Sequence, residues 1–433
     1  MLDLDRKYEY LIVGAGAGGA TLARELSQRG KDVLLLERGR FETRLGSFPD
    51  AVRMYDGVSF GFASLPRRAR EGTVIWHTYQ AGGSTVVACG NGVPALAAEL
   101  AQRGVDLRAE LIEAAEETKT APIDESLLSE GSQALRAAAQ ALGYRFDLMP
   151  KFIDAKLCQR CGNCVLGCKH GAKWTAAKTV NQARQLGAQV VYDAKVVSPI
   201  VRDGRVLGVE ADVGNDQRRI YADRTILAAG GVDTPMLLQR AGIKEAGQGF
   251  FADLLVNVYG ISKGLNLSKE PTMTLVDLEF HDRDGFLISP FVNHPRRTRF
   301  LEAGWQGFML DERNLLGLVI KTRDDRAGRV YPDGTISKPV TADDRKRLDR
   351  GAGVAKETLI KAGADEKSLV VSGVQGGHPG GTAALGEVVD TGLRTALAGL
   401  YVCDASVLPR APGLPPILTI IALAKYLAKQ FVA

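Results

Sequence analysis

The amino-acid sequence predicts an α/β fold in which a Rossmann-like nucleotide-binding domain is completed by the last part of the chain. Three observations predict it. Residues 8–39 read as strand, glycine turn, helix and strand, residues 225–243 read as strand, glycine turn and helix, and residues 272–292 alternate apolar and polar positions. In chain order, the predicted domains are 1–244 (nucleotide-binding, first part), 245–375 (antiparallel-sheet substrate domain) and 376–433 (nucleotide-binding, second part).

The composition is that of a globular protein of about two domains. The chain has 433 residues, of which 45% are apolar and 24% are charged, and a disordered protein would be poorer in apolar residues. The net charge of +5 is spread along the sequence. Its densest basic runs, at 65–70 and 294–299, contain no aromatic residues, so we expect solvated surface and no nucleic-acid partner.

The ends of the sequence favour a cytoplasmic protein. Residues 1–16 run into a strand without a basic segment or a cleavable apolar segment, so we expect no signal peptide. The most apolar stretch is PPILTIIALAKYLAKQFVA, at 415–433. It is interrupted by lysines and too short for a bilayer core of about 30 Å, so we expect no membrane span.

The glycine turn after the first strand has the spacing of a dinucleotide site. In Gly14-x-Gly16-x-x-Gly19, the first glycine permits the tight turn, the second lets a pyrophosphate approach the backbone, and the third allows close packing of helix on strand. The following helix would direct its N-terminus at the phosphates. Glu37 ends the second strand at the distance expected for an acceptor of ribose hydroxyls, and Arg38 follows it.

The turn alone does not distinguish NAD from FAD, but three later segments do. Residues 80–92, 222–243 and 398–409 each bring glycines or a strand end back towards one nucleotide site. Several such returns are typical of a long cofactor bound across the domain, which is FAD. The further predicted FAD-binding residues are Gly82, Gly83, Ser84, Asn91, Val197, Ala229, Gly230, Thr234, Asp404, Ala405, Pro416 and Ile417.

Three stretches resemble the glucose–methanol–choline (GMC) oxidoreductases, which are FAD-dependent alcohol oxidases and dehydrogenases. They are GAGAGGATLARELS with LLLERG, AAGGVDTPMLLQRAGI, and GGHPGGTAALGEVVDTGLRTALAGLYVCDASVLPRAPGLPPILTIIALAKYLA. The resemblance implies the predicted fold and a small-molecule alcohol substrate. It also implies that His378, in GGHPGGT, acts on the substrate hydroxyl as a general base, for which histidine has a suitable pKa.

The sequence departs from the family where a second catalytic residue is expected. Family members usually place a histidine or an asparagine before the final helix, and Pro415 stands there in this chain. A proline side chain makes no hydrogen bond, so a partner for His378 must come from elsewhere or be absent. The candidates from the sequence are His281, His294, Tyr259 and Asn257. The helix beginning near Pro416 would direct its positive end at the flavin pyrimidine ring, and Asp404 would hold the ribityl and phosphate portion.

Four cysteines form a predicted insert at 155–175. Cys158, Cys161, Cys164 and Cys168 have the spacing C-x2-C-x2-C-x3-C, which is that of bacterial ferredoxins. A 4Fe–4S cluster is the prediction, with a 3Fe–4S cluster or a zinc site as alternatives. The proline that follows the last cysteine in ferredoxins is replaced by Lys169, and a remote thiol is the other candidate for the fourth ligand. The insert resembles that of some short bacterial family members.

A flavin beside such a cluster would divide a two-electron oxidation into single-electron steps. We therefore expect a dehydrogenase that oxidises a hydroxyl-bearing carbon and passes electrons to a redox partner, such as a ferredoxin, a cytochrome or a quinone-linked protein. Two alternatives stay open at this point. One is a reductase of a carbonyl or an activated double bond, driven through the cluster. The other is an electron-transfer flavoprotein subunit of a larger complex.

Overall fold

The computed structural model describes residues 4–51, 53–54, 59–60, 63–64, 66–214 and 216–431. Two large sheets dominate the fold. Helices cover the first sheet, and the second sheet packs against the long helix Ala342–Lys361, so each sheet has its own buried apolar cluster.

The first sheet has a parallel centre and an antiparallel extension. The strand Lys7–Val13 pairs in parallel with Val33–Leu36 on one side and with the far half of Asp216–Leu227 on the other. The near half of that long strand continues as an antiparallel meander, in which Asp203 and Gly204 form the turn between the other two strands. The strand order is Gln189–Val191, Val33–Leu36, Lys7–Val13, Asp216–Leu227, Arg205–Val213 and Ala194–Arg202, with Leu400–Val402 also paired to Asp216–Leu227.

The second sheet is mostly antiparallel and carries the predicted substrate side of the molecule. Its central pair is Leu254–Ile261 with Leu315–Thr322. The strand order is Phe286–Pro290, Leu315–Thr322, Leu254–Ile261, Gln375–Gly376, Val74–Ile75 and Arg67–Arg68, with Val370–Val371 also paired to Leu254–Ile261. The smaller sheets are Gln248–Phe250 with Gly328–Val330 and Ile336–Ser337, and the pairs Leu275–Val276 with Asp147–Leu148, Ala121–Pro122 with Pro150–Lys151, and Ser59–Phe60 with Ala63–Ser64.

The helices complete the layers on both sheets. Ala17–Gln28 follows the glycine turn and packs between Ala176–Gln185 and Ile417–Gln430. The α-helices are Ala17–Gln28, Phe48–Ala51, Ala97–Gln102, Arg108–Thr118, Glu130–Ala141, Ala176–Gln185, Gly230–Arg240, Glu279–Asp284, Arg296–Met309, Ala342–Lys361 and Ile417–Gln430. None of the described helices is both long and apolar enough to cross a membrane.

Local sequence signals in the second half of the chain are mostly confirmed. The sequence GRVYPDGTIS predicts a hairpin, which Gly328–Val330 and Ile336–Ser337 form. The spacing of Thr341 and Asp344 predicts a capping box, which they form at the start of Ala342–Lys361. The prediction for 272–292 was wrong in part: the stretch before Gly285 is the helix Glu279–Asp284, which Gly285 ends with a φ of 78°. The predicted domain boundaries stay predictions.

Candidate functional site

A cavity of about 590 Å³ joins the glycine turn of the first sheet to the inner face of the second sheet. Gly14 and Gly16 line one end and Glu37 and Arg38 lie beside them. His378 lines the same cavity. The cavity therefore connects the predicted nucleotide site with the predicted catalytic base.

The three glycines of the turn have the roles that their spacing predicts. Gly14 has a φ of +99°, and a Cβ atom there would lie 2.4 Å from the Ala228 oxygen. A Cβ atom at Gly19 would lie 1.9 Å from the Gly14 oxygen, so Gly19 lets the helix pack on the strand behind the cavity. Around a Cβ atom at Gly16 there is no protein atom within 4 Å, which leaves open space where a pyrophosphate would approach.

Glu37 is buried and braces the turn. One of its carboxylate oxygens accepts a hydrogen bond from the Ala15 amide at 2.7 Å and the other from the Gly39 amide at 2.8 Å. Burial raises the pKa of Glu37, and the two amides oppose that rise. Arg38 stacks its guanidinium 3.9 Å from the Tyr79 ring centroid. Both side chains line the cavity at the end where a ribose would lie.

The glycine-rich segment 80–92 forms the opposite wall. Gly83 and Ser84 line the cavity, whereas Gly82 lies behind them with a φ of +92°, and a Cβ atom there would lie 2.7 Å from the Ala177 nitrogen. Asn91 also lines the cavity, and its Oδ1 atom accepts a hydrogen bond from the buried Lys151 ammonium.

Asp404 ties three segments of the nucleotide site together. Its Oδ2 atom accepts hydrogen bonds from the Gly230 amide and the Thr234 hydroxyl, and its Oδ1 atom accepts from Ser406. Ala229, Gly230, Asp404 and Ala405 line the cavity, and Thr234 supports Asp404 from behind. Burial raises the pKa of Asp404, and these donors oppose that rise.

The final helix approaches the cavity with its N-terminal end. Pro416 precedes its first residue, Ile417, and both line the cavity. Val196 lines the cavity and its neighbour Val197 does not, and Val197 as an FAD-binding residue stays a prediction. Successive strand residues point to opposite faces, and a register shift follows Val196.

His378 is held from behind by two charged side chains that the sequence did not suggest. Its Nδ1 atom lies 2.9 Å from the Asp253 Oδ2 atom and 3.2 Å from the Lys321 ammonium. Asp253 is fully buried and also accepts a hydrogen bond from the Gly413 amide at 2.9 Å. The closest contact of Nδ1 is a carboxylate, which favours the tautomer with a proton on Nδ1 and a lone pair on Nε2.

Burial and the Lys321 ammonium favour a neutral His378 ring. Burial lowers the pKa of His378, the Lys321 ammonium lowers it further, and Asp253 opposes both. Burial also lowers the pKa of Lys321 to about 8, against the opposing effect of Asp253. A neutral imidazole at neutral pH can accept a proton without first losing one.

Two of the sequence candidates for a partner of His378, His281 and His294, lie elsewhere. His281 bonds through Nε2 to the Pro412 oxygen at 2.8 Å, and the ring of His294 packs against Gly162. Neither lines the cavity. Pro415 lines it, in the place where the family would supply a polar side chain. Asp253 and Lys321 both lie beside Nδ1, so they orient His378 from behind. They do not replace the histidine or asparagine that the family has at the position of Pro415.

The far wall of the cavity holds a second polar group of side chains, which we call the polar wall: Asn257, Tyr259, Asn293, Thr298 and Glu302. All except Tyr259 line the cavity. Tyr259 donates a hydrogen bond to Glu302 at 2.7 Å, and Asn293 donates to its other oxygen. Burial raises the pKa of Glu302 to about 7, against the opposing effect of these donors.

Glu302→Gln is expected to flatten part of the pH dependence of stability. The folded-state pKa of Glu302 lies above the ordinary glutamate value of 4.5, so its contribution to stability is fully present below about pH 4.5 and is lost as pH rises through about 7. That contribution amounts to at most about 3 kcal/mol. Urea unfolding of both proteins at about pH 5 and about pH 8 measures it. If the two proteins differ in unfolding free energy by the same amount at both pH values, the pKa of Glu302 is not raised.

The structure does not bring the four cysteines into a metal site. Cys161 is exposed and the other three are partly buried. The described residues hold no group of three or more His, Cys, Asp or Glu side chains placed to share a metal ion. The segment nevertheless borders the cavity, since Val165 and Leu166 line it. Among the described residues the predicted cluster therefore has no ligand set already assembled around a metal position.

Lys321 is the functional residue that sequence reasoning could have found. It follows the apolar run 315–320 in a strand that is buried throughout. A lysine in such a strand needs a buried partner, which would have directed attention to the acidic residues near His378. Asp253, just before the strand Leu254–Ile261, carries no such local signal.

Comparison with known proteins agrees with this architecture. Family models described as GMC oxidoreductase match residues 8–270 and 325–424. An uncharacterized protein of Methanocaldococcus jannaschii is 30% identical over 98% of this chain and 99% of its own length. A long-chain-alcohol oxidase of Arabidopsis thaliana is 24% identical over 96% of this chain and 67% of its own length.

A solved structure shows the same fold. Pyridoxine 4-oxidase from Mesorbium loti superposes with a TM-score of 0.75 at 18% identity, over 98% of this chain and 99% of its own. Its likeness extends over both large sheets, and the two family models together span most of the chain. The chain belongs to the GMC oxidoreductase family and is an FAD-dependent oxidoreductase.

Proposed function

We propose that this protein oxidises an alcohol at its hydroxyl-bearing carbon, with His378 as the general base. The observation that carries the proposal is the single cavity in which the glycine turn and a neutral, carboxylate-oriented histidine meet. The name of the Arabidopsis relative, a long-chain-alcohol oxidase, supports the reaction class. A turnover screen of alcohols, with oxygen and with artificial electron acceptors, tests it.

The residues of the cavity fit FAD. The open space at Gly16 suits the pyrophosphate, and the buried carboxylate of Glu37 suits the ribose of the adenosine end. Asp404 and Ala405 would hold the ribityl chain, and the N-terminal end of Ile417–Gln430 would support negative charge on the flavin ring. When bound, FAD supplies the acceptor for the hydride that leaves the carbinol carbon.

The protein's own part in the reaction is to position and move one proton. With Nδ1 engaged by Asp253, the Nε2 atom of His378 is the nitrogen available to a substrate hydroxyl in the cavity. When Nε2 accepts that proton, the His378 ring becomes positively charged. The nearby Asp253 carboxylate then attracts the ring, and the nearby Lys321 ammonium repels it. The buried carboxylate at 2.9 Å offsets the cost of charging the ring beside an ammonium.

Asp253→Asn is expected to lower kcat by roughly 10²-fold while FAD stays bound. The new amide would donate to Nδ1, which leaves the proton on Nε2 and removes the base. Steady-state kinetics across pH, with the FAD content measured from absorbance, check this.

Lys321→Met is the matched contrast to Asp253→Asn. Removing the ammonium raises the pKa of His378, so the acid limb of kcat/KM moves to higher pH. Removing the Asp253 charge moves it to lower pH. Shifts in the same direction for both variants would contradict the assignment of Asp253 and Lys321 as positioning residues.

We also propose that a 4Fe–4S cluster passes electrons to an external protein acceptor, with Cys158, Cys161, Cys164 and Cys168 as its ligands. Its support is the ferredoxin-like spacing and the contact of the segment with the cavity. Iron and acid-labile sulfide analysis of protein purified without oxygen tests it. About four irons per chain supports the cluster, and a chain free of iron removes it together with the cluster-driven reductase alternative.

A further inference from the structure

The polar wall contains atoms whose hydrogen bonds the protein does not supply. Asn257 and Thr298 line the cavity and are 1% and 6% exposed. The Asn257 Nδ2 and Oδ1 atoms and the Thr298 Oγ1 atom make no hydrogen bond of normal geometry with the protein. Buried polar atoms are rarely left in this state. Two neighbouring side chains with three such atoms, in the wall of one cavity, indicate the place of a polar ligand group.

Glu302 adds hydrogen-bond acceptors to the polar wall. Its carboxyl group is held by Tyr259 and Asn293 on different oxygens, and the Asn257 side chain interacts with the same carboxyl group and lowers its pKa. Each oxygen keeps capacity for a further hydrogen bond. Together with Asn257 and Thr298, the polar wall offers acceptors and donors side by side.

The sheet register relates the position of Asn257 to that of Lys321. Lys321, which contacts His378, pairs with Leu255, and the next inward-facing pair along the two strands is Val319 with Asn257. Two residues along a strand span about 7 Å. Asn257 therefore lies about one such step along the sheet from Lys321, level with the apolar side chain of Val319.

We propose that the polar wall binds a second hydroxyl group of the alcohol substrate, so that the substrate is a diol or polyol. This inference rests on the proposed function. A hydroxyl group both donates and accepts, which matches the mixed set of Glu302, Asn257 and Thr298. A carboxylate or phosphate would face the carboxyl group of Glu302.

The test compares linear terminal diols with the primary mono-alcohols of the same carbon count, using the FAD-loaded enzyme. The readout is the ratio of kcat/KM for diol over mono-alcohol. We expect a ratio of about 10² or more at the best chain length, because a site built for a hydroxyl discriminates strongly against an analogue that lacks it. A ratio near one at every length would overturn the inference.

Two variants at one position separate binding from structure. Thr298→Val removes the hydroxyl at nearly constant shape and is expected to lower the ratio roughly tenfold, whereas Thr298→Ser keeps the hydroxyl and the ratio. Because Thr298 Oγ1 has no partner in the protein, Thr298→Val should not lower the thermal unfolding midpoint. A lower midpoint with an unchanged ratio would mean a structural role and would overturn the inference.

The comparison of diols with mono-alcohols also distinguishes a failure of the diol subsite from a failure of the proposed alcohol oxidation. If mono-alcohols and diols reduce the bound flavin equally well, the proposed function stands and the diol subsite is wrong. If neither series reduces the flavin although dithionite does, the proposed function is wrong, and the subsite with it.

Discussion

Replacing His378 by asparagine is expected to lower kcat by about 10³-fold, with FAD still bound. Asparagine can keep a hydrogen bond to the buried Asp253 carboxylate, which His378 contacts at 2.9 Å, so the fold around the site should survive. It cannot accept a proton near neutral pH, so the alcohol must lose its proton unaided. Steady-state turnover per bound FAD measures the loss.

The control for this variant is His170→Asn, because His170 is exposed and lies outside the cavity. We expect it to leave kcat unchanged. A loss of tenfold or less in His378→Asn, at full FAD occupancy, would mean that another group takes the proton.

Gly16→Ala is expected to abolish FAD binding in a protein that still folds. Gly16 has a φ of −74°, which alanine adopts freely, and its Cβ position has no protein atom within 4 Å. The added methyl group would instead occupy the space where the cofactor's pyrophosphate approaches the backbone. Flavin absorbance after purification, followed by titration with FAD, measures the effect, and circular dichroism reports the fold.

Two further glycine variants serve as controls for Gly16→Ala. Gly353→Ala lies in the helix Ala342–Lys361, also without atoms within 4 Å of its Cβ position, and should keep its FAD. Gly14→Ala would meet the Ala228 oxygen at 2.4 Å and should lower stability as well as FAD content. FAD bound normally by Gly16→Ala would show that the pyrophosphate does not lie at this turn.

The parts of the site that the sequence predicted are those with local causes. The turn at Gly14, Gly16 and Gly19 can be recognised within six residues, because Gly14 has a positive φ and Gly19 lies too close to the Gly14 oxygen for a Cβ atom. The capping box of Thr341 and Asp344 is equally local. His378 came from the family resemblance, and its place in the cavity agrees with that expectation.

The parts that the sequence missed depend on contacts between distant segments. Asp253 lies 68 residues before Lys321 and 125 before His378, and only the sheet register brings the three together. The alternation in 272–292 predicted strands, but Gly285 ends a short helix there instead. Val196 lines the cavity where the sequence suggested Val197, because one residue along a strand is enough to change the face on which a side chain lies.

The most direct test of the account is anaerobic single-turnover mixing of the FAD-loaded enzyme with an alcohol, with and without deuterium on the carbinol carbon. Loss of flavin absorbance then reports the chemical step apart from the acceptor. We predict that the alcohol bleaches the flavin, that deuterium slows the bleaching, and that His378→Asn slows it about 10³-fold. Bleaching by dithionite but by no alcohol, or bleaching at an unchanged rate in His378→Asn, would contradict the account.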